Sequence, residues 1–162
     1  MIKCRKKVKV IFTILLALLV VGGLSKIFLS KHSSEYAYNI GDTVKIKDQS
    51  LVVNSVKTSM GEGNDKPKEG NEFLILNLTL KNNGDSELNY NPYSFQIENA
   101  KGEIKDRTFT AIDGKEALDK GTLAPGEEVT GTIVVQEPIG AKDLKLNYVP
   151  NIFKKDVATV KL

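Results

Sequence analysis

The sequence has a single cysteine, Cys4, and a single histidine, His32, and both lie near its start. The chain beyond His32 can therefore form no disulfide, and its core must be stable by packing alone. The same scarcity excludes a metal site built from histidines and a catalytic pair of histidine with serine or cysteine. Pairs of carboxylates remain for acid–base chemistry, but no spacing of Asp and Glu points to one. We therefore predict no enzyme activity, no catalytic residue, no cofactor and no metal.

Acidic residues are absent from the first 31 positions, which carry seven Lys and Arg and are otherwise mostly apolar. The uncharged run begins at residue 10 and extends to residue 29 if Lys26 directs its ammonium group to the lipid headgroups. A helix of this length, at ~1.5 Å per residue, spans the ~30 Å hydrocarbon core of a bilayer. We predict a cytoplasmic basic segment at residues 1–9 and a transmembrane signal anchor at residues 10–29. A stalk at residues 30–37 would follow outside the cytoplasm.

The alternative for this segment is a signal peptide that is removed, which would make the rest of the chain a secreted protein. Gly23 and Ser25 provide the small residues that a signal peptidase requires, but no Ala-x-Ala sequence is present, so we favour the uncleaved anchor. Cys4 lies before the apolar run, whereas the lipidated cysteine of a bacterial lipoprotein lies directly after it. We therefore predict that Cys4 is a free thiol on the cytoplasmic side.

The basic character of the sequence belongs to its first 31 residues. The whole chain has 23 Lys and Arg and 20 Asp and Glu, so residues 32–162 have 16 and 20 and a net charge of −4. Nucleic-acid binding requires a basic face on the folded part, so we exclude it. The predicted contacts are the membrane, through residues 10–29, and a protein or glycan of the cell envelope.

Residues 38–162 are predicted to form one domain, and their apolar residues recur with a period of two. In the clearest case, residues 73–80, alternate leucines share one face, Asn77 and Thr79 share the other, and the turn sequence Asn82-Asn83-Gly84 follows. Similar patterns predict strands at residues 43–47, 51–58, 94–98, 129–135, 144–148 and 157–162, with a weaker candidate at 107–111. Only residues 115–120 suggest a helical turn. We predict an all-β fold, an antiparallel β-sandwich, with a small barrel as the alternative.

The candidate interaction residues lie in two places. Glu62 and Asp65 belong to residues 59–71, a Gly-rich and charged stretch that we predict to be an exposed loop. Their spacing matches no calcium motif, so we interpret both as solvated. Tyr90 and Tyr93 would stack on a sugar ring or anchor a partner protein if they are exposed, and would be core residues if they face inward. For Tyr93 and Phe95 together we favour the core.

Three segments, taken in order, resemble a known family. They are Gly41-Asp-Thr-Val, then Gly70-Asn-Glu-Phe-Leu-Ile-Leu-Asn-Leu-Thr-Leu with Asn91-Pro-Tyr-Ser-Phe, and then Leu123-Ala-Pro-Gly-Glu-Glu-Val with Leu144-Lys-Leu-Asn-Tyr. The family is an uncharacterised extracytoplasmic domain of Gram-positive surface lipoproteins, whose members often carry the misleading name of telomeric repeat-binding factors. It is grouped with the immunoglobulin-like fold of a secreted mycobacterial immunoprotective antigen.

This resemblance covers residues 38–151 and implies an immunoglobulin-like β-sandwich that acts as a non-enzymatic envelope domain of unknown ligand. Many relatives carry a lipidated cysteine after the signal segment, and this chain has the predicted transmembrane helix instead. We therefore expect a membrane-anchored binding module that faces out of the cell. The alternative is an accessory or structural subunit of a membrane complex that contacts its partners through the transmembrane helix.

Overall fold

The computed structural model describes residues 37–150 and 157–162. The predicted basic segment, the predicted anchor at residues 10–29 and the stalk up to residue 36 lie outside the described residues. Across the part of the chain that is described, no helix is both long and apolar enough to cross a membrane.

The described residues form eleven strands and two short 3-10 turns. The strands are β1 (Ala37–Tyr38), β2 (Val44–Ile46), β3 (Gln49–Ser59), β4 (Asn71–Asn82), β5 (Leu88–Tyr90), β6 (Phe95–Glu98), β7 (Ile104–Lys105), β8 (Gly121–Leu123), β9 (Glu128–Pro138), β10 (Lys145–Tyr148) and β11 (Ala158–Lys161). The 3-10 turns are Pro92–Ser94 and Gly114–Glu116. Every strand predicted from a clear alternation is present, with its ends moved by a few residues. The strands that the sequence did not reveal, β1, β5, β7 and β8, are too short to display a period.

The strands form a sandwich of two sheets. One sheet has five strands in the order β1-β11-β10-β6-β7, and the other has four in the order β2-β3-β4-β9, while β5 and β8 pair separately. All strand pairs are antiparallel except β1 with β11. Apolar side chains from both sheets join in one core. The predicted β-sandwich is therefore confirmed over the small barrel.

The strand β4 is the central element of the four-stranded sheet. Its leucines at positions 74, 76, 78 and 80 are buried against the five-stranded sheet, as the alternation predicted. Burying each such side chain contributes about 2 kcal/mol of transfer free energy. Leu76 lies between Val56 of β3 and Ile133 of β9, so the same apolar row continues across three strands.

A β-bulge in β3 keeps its apolar side chains on the core side. Leu51 and Val53 face inward before the bulge, and Val56 is opposite the buried Leu76 after it. Asn54 is the extra residue, and its Nδ2 donates to Asn77 Oδ1 (2.8 Å) and to Thr79 Oγ1 (2.9 Å) on the outer face. The bulge thus corrects the register of the apolar residues and gives the outer face a polar ladder.

Residues 106–118 cross from the five-stranded sheet to the free edge of β9. Thr108 N donates to Val134 O (2.6 Å), and Leu118 N donates to Thr132 O (2.8 Å). The weak prediction of a strand at 107–111 is wrong, because isolated bonds to β9 do not make a ladder. Leu118 packs on Gly131, where an added Cβ would lie 3.0 Å from Leu118 Cα. Gly131 therefore allows Leu118 to pack closely against β9.

The two ends of the sandwich are built from different connections. The loop end comprises the β3–β4 loop (residues 60–70), the β6–β7 turn (99–103), the β9–β10 turn (139–144) and residues 106–113, which are bonded to the β3–β4 loop. The turn end comprises residues 83–87 after β4, the 3-10 turn Pro92–Ser94 and residues 124–127 before β9.

Candidate functional site

Glu62 and Asp65 lie at the loop end, in a tight turn. Glu62 N donates to Asp65 O (3.1 Å), and Asp65 N donates to Glu62 O (2.9 Å). Gly61 precedes this turn with a φ of +74°, and a Cβ there would lie 2.0 Å from Asp65 O, so only glycine fits. The Glu62 side chain is exposed, in agreement with its interpretation as solvated.

Asp65 has an internal contact instead. Its Oδ2 accepts hydrogen bonds from Thr110 Oγ1 (2.6 Å) and from Ala111 N (2.7 Å). These two bonds join the β3–β4 loop to residues 106–113. The interpretation of Asp65 as solvated is corrected, because its carboxylate satisfies two donors of the neighbouring segment. Within residues 37–150 and 157–162, no three His, Cys, Asp or Glu side chains are grouped so that they could hold a metal ion.

The two tyrosines lie at the turn end, so the structure does not bring them together with Glu62 and Asp65. Tyr90 is half-buried, and its ring packs over Gly121. Tyr93 is 54% exposed in the 3-10 turn that Asn91 caps through a bond from Tyr93 N to Asn91 Oδ1 (3.0 Å). The preference for the core is therefore wrong for Tyr93, because the turn projects it outward.

Phe95 is the aromatic residue of this group that belongs to the core. It is the first residue of β6, and its ring stacks on Tyr148 of β10 with a centroid distance of 4.6 Å and an interplanar angle of 17°. The Tyr148 hydroxyl donates to Gln49 Oε1. Burial raises the pKa of Tyr148, so the phenol stays neutral at physiological pH.

Three segments of the loop end each expose one large apolar side chain. Met60 in the β3–β4 loop is 54% exposed, Phe109 in residues 106–113 is 77% exposed, and Ile139 in the β9–β10 turn is 58% exposed. The Arg107 guanidinium lies 5.2 Å from the centroid of the Phe109 ring, a cation–π contact that holds the ring in place. The sequence did not reveal these residues, because single apolar residues in loops form no period.

Hydrogen bonds connect these segments to one another. Lys68 N donates to Gln136 Oε1 (2.9 Å), and Ile139 N donates to Gly70 O (3.1 Å). Gly140 N donates to the Glu72 carboxylate (2.8 Å). Together with the Asp65 contacts, these bonds fix the loops that carry Met60, Phe109 and Ile139. A surface whose backbone is fixed in this way loses little conformational freedom when it binds a partner.

Glu137 is the most unusual side chain of the loop end. It follows Ile133 and Val135 on the inner face of β9 and is only 1% exposed. Neither carboxylate oxygen has a hydrogen-bond partner among the described residues. Burial raises the pKa of Glu137; the nearby Lys105 opposes this effect and Glu103 adds to it. Continuing the alternation of β9 two residues past Val135 would have identified this position from the sequence.

Lys105 and Glu103 approach Glu137 from the other sheet. Lys105 of β7 is paired with the buried Ile97 of β6, so its side chain leaves the inner face of the five-stranded sheet. Its Nζ lies 3.4 Å from Glu103 Oε2, and Asn99 Nδ2 donates to the same oxygen (2.8 Å). Asn99 and then Lys105 hold the pKa of Glu103 below its ordinary value. Lys105 is thus paired with Glu103, with both side chains partly exposed, and is close enough to Glu137 to affect its pKa.

Comparison with known proteins relates the chain to a family. The chain is 26% identical over 114 residues to the uncharacterized lipoprotein YjhA of Bacillus subtilis (strain 168). The aligned region covers 64% of this chain and 54% of YjhA. The chain therefore spans about half the length of that curated relative. The crystal structure of the yjhA protein has 26% identity and a TM-score of 0.62, and the match covers 77% of this chain and 98% of the solved one. No enzymatic role is attached to this relative.

Two further solved structures share the fold. A putative lipoprotein, ycdA, from Bacillus subtilis subsp. subtilis str. 168 has a TM-score of 0.64 at 20% identity, over 74% of this chain and 38% of that one. The secreted protein MPT63 of Mycobacterium tuberculosis has a TM-score of 0.60 at 16% identity, over 78% and 98%. Both likenesses concern the β-sandwich alone. The predicted resemblance to lipoprotein domains grouped with a mycobacterial secreted antigen is confirmed.

The family model that matches the chain is described as a domain of unknown function, DUF4352, and it covers residues 38–159. The match includes almost the whole sandwich, from β1 to the middle of β11. The chain belongs to the DUF4352 family.

Proposed function

We propose that this protein is a membrane-anchored, non-enzymatic binding module of the cell envelope. In this proposal an immunoglobulin-like β-sandwich is held outside the cytoplasm and contacts a partner protein through its loop end. The observation that carries the proposal is the set of three exposed apolar side chains, Met60, Phe109 and Ile139, on segments that are bonded to one another. Exposed apolar side chains on a fixed backbone are typical of protein-interaction surfaces.

The anchor is the second part of the proposal. Residues 1–9 are basic and residues 10–29 are apolar apart from Lys26, a pattern that orients a single helix with its following domain outside. The relative YjhA is described as a lipoprotein, which supports a position at the membrane. In this chain a membrane-spanning helix would take the place of a lipid, and cleavage of the signal would release the domain instead.

A protein partner fits the loop end better than a glycan does. Met, Ile and Phe side chains together resemble the apolar centre of a protein interface. Sugar rings stack on aromatic side chains that have polar groups beside them, and at the turn end Tyr93 offers that chemistry. A glycan ligand would therefore engage Tyr93 rather than Phe109.

The experiment is site-specific photo-crosslinking in intact cells with the full-length chain. A photoreactive amino acid is placed at position 109 in one version and at position 93 in the other. We expect one saturable protein adduct from position 109 that disappears when Met60→Ser and Ile139→Ser are combined, and no adduct from position 93. An adduct from position 93 alone, or a glycan adduct, would overturn the proposed surface. Protection of residues 38–162 from external protease in intact cells would overturn the location.

The second candidate function is an accessory subunit that works through its helix. The mostly apolar run at residues 10–29 favours it, because such a helix can contact other helices as well as lipid. Replacing residues 8–29 by an unrelated transmembrane helix separates the two candidates. A surface-binding module keeps its crosslink from position 109 after this replacement, whereas an accessory subunit loses its partner.

A further inference from the structure

Glu137 presents a problem that the proposed binding surface does not address. An ionised carboxylate that is buried without a hydrogen bond destabilises a folded protein strongly, so such a group either binds a proton or obtains a cation. Both oxygens of Glu137 lack a partner among the described residues, and its side chain is almost fully buried. The fold must therefore supply one of these two solutions.

The strand registers show which cation is available. The pairing of Ile97 with Lys105 places Lys105 on the inner face of the five-stranded sheet, and Glu103 lies in the turn directly before β7. The pairing of Glu72 with Glu137 continues the buried pair of Leu74 and Val135, so Glu137 is on the inner face of the opposite sheet. The charged side chains that face Glu137 are thus Lys105 and Glu103 from the β6–β7 hairpin and Glu72 from β4. The Glu72 carboxylate already accepts a bond from Gly140 N.

We propose that the Lys105 ammonium group pairs with Glu103 when Glu137 is protonated and with Glu137 when Glu137 is ionised. The protonation state of Glu137 therefore switches the ion pair of Lys105 at the loop end. With Glu137 neutral, Lys105 pairs with Glu103, and this is the pair present in the structure, at 3.4 Å. When Glu137 ionises, the buried charge attracts the Lys105 ammonium group inward, and Glu103 keeps its bond from Asn99 Nδ2. The proton leaves Glu137 for solvent, and no covalent bond changes.

The pKa values of the two carboxyl groups are shifted in opposite directions, which supports the proposed exchange of Lys105. Burial raises the pKa of Glu137, whereas Asn99 and Lys105 lower that of Glu103. As pH rises, Glu103 therefore ionises first and takes Lys105, and Glu137 ionises later and competes for it. The switch is a property of the sandwich itself and does not depend on the partner that the loop end binds.

The test is a carboxyl-carbon NMR titration of the full-length chain in detergent micelles, from about pH 2 to about pH 9, a range that begins well below the usual glutamate pKa of ~4.3. Glu137→Gln assigns the Glu137 signal, and Glu103→Gln assigns the Glu103 signal. We expect Glu137 to titrate above its ordinary value of 4.5. We also expect the Glu103 signal to show a second inflection at the pH where Glu137 titrates.

Two variants and one control complete the test. Glu103→Gln removes the competitor and should lower the titration midpoint of Glu137 by roughly one pH unit, while Lys105→Met should raise it and abolish the second inflection of Glu103. Lys145, which pairs with Glu98 through a 3.8 Å contact on the outer face, is the matched control. Lys145→Met should leave both signals unchanged. Titration of Glu137 at or below its ordinary value of 4.5, or a single inflection of Glu103 in the unsubstituted chain, would overturn the proposal.

Discussion

The two ends of this sandwich differ in how completely their polar groups are satisfied. At the turn end, Asn82 is buried, its Nδ2 donates to Ser86 O (2.8 Å) and Leu123 O (3.0 Å), and its Oδ1 accepts from Gly84 N (2.9 Å). At the loop end, Glu137 is equally buried and has no hydrogen-bond partner among the described residues. Asn82 therefore stabilises the turn that follows β4, whereas Glu137 lowers the stability of the fold.

The exposed apolar side chains are also distributed unequally between the two ends. The loop end exposes Met60, Phe109 and Ile139 on three segments that hydrogen bonds join. The turn end exposes Tyr93, in the 3-10 turn that Asn91 caps, and Val157, directly before β11. The turn end thus satisfies its buried side-chain amide, whereas the loop end combines exposed apolar side chains with a buried carboxyl group that lacks a hydrogen bond, which reduces stability.

The largest expected effect concerns the turn end. Asn82→Ala removes three hydrogen bonds and leaves the buried Leu123 carbonyl without its donor, so the free energy of unfolding should fall by about 3 kcal/mol. Chemical denaturation of the full-length chain in micelles, followed by circular dichroism, measures the change. Asn83→Ala is the matched control, since its side chain makes an exposed bond to Ser50 Oγ. Equal losses in both variants would show that burial does not make the Asn82 hydrogen bonds more important than the exposed bond of Asn83.

The second prediction is that a substitution at the loop end increases stability. Glu137→Met should raise the free energy of unfolding by roughly 2 kcal/mol at a pH where Glu137 is ionised, because an apolar side chain replaces a buried carboxylate. The pKa of Glu137 is raised in the folded state, so the unsubstituted domain loses stability as pH rises from about 4.5, the usual value, through that raised pKa. The gain from the substitution should therefore be small at low pH and grow over this window. Denaturation across a pH series checks it, and a gain that is independent of pH would contradict it.

The third prediction concerns the bonds that fix the loops. Asp65→Ala removes the acceptor of Thr110 Oγ1 and Ala111 N, and should cost about 1 kcal/mol of stability. Hydrogen exchange followed by mass spectrometry should show faster exchange in residues 60–70 and 106–113. Glu62→Ala, in the same turn but with an exposed side chain, should change neither quantity. Unchanged exchange in Asp65→Ala would show that the loops are fixed by other contacts.

The smallest effect on stability should accompany the largest effect on binding. Phe109→Ser and Tyr93→Ser both alter exposed side chains, so each should change the free energy of unfolding by less than about 0.5 kcal/mol. Only Phe109→Ser should reduce binding of the partner that crosslinks at the loop end. A loss of binding in Tyr93→Ser instead would assign the contact surface to the turn end.

Much of the fold could be predicted from the sequence, because strands that cover one core need a two-residue alternation along their own length. Alternate leucines in β4 identified the buried face, and Asn82-Asn83-Gly84 identified the turn that follows it. Less of the candidate site could be predicted. Tyr93 was assigned to the core with Phe95 because the two residues are neighbours, but a 3-10 turn separates their directions.

The sequence by itself determined that the chain has a basic and apolar start, an acidic β domain without the residues for histidine or cysteine chemistry, and the strands of a sandwich. Only the tertiary structure decided that Asp65 binds Thr110, 45 residues away, and that Glu137 lies opposite Lys105. The physical reason is the range of the interactions. Periodicity and turn chemistry act between residues that are close along the chain, whereas burial and charge depend on segments that meet only after the two sheets have packed.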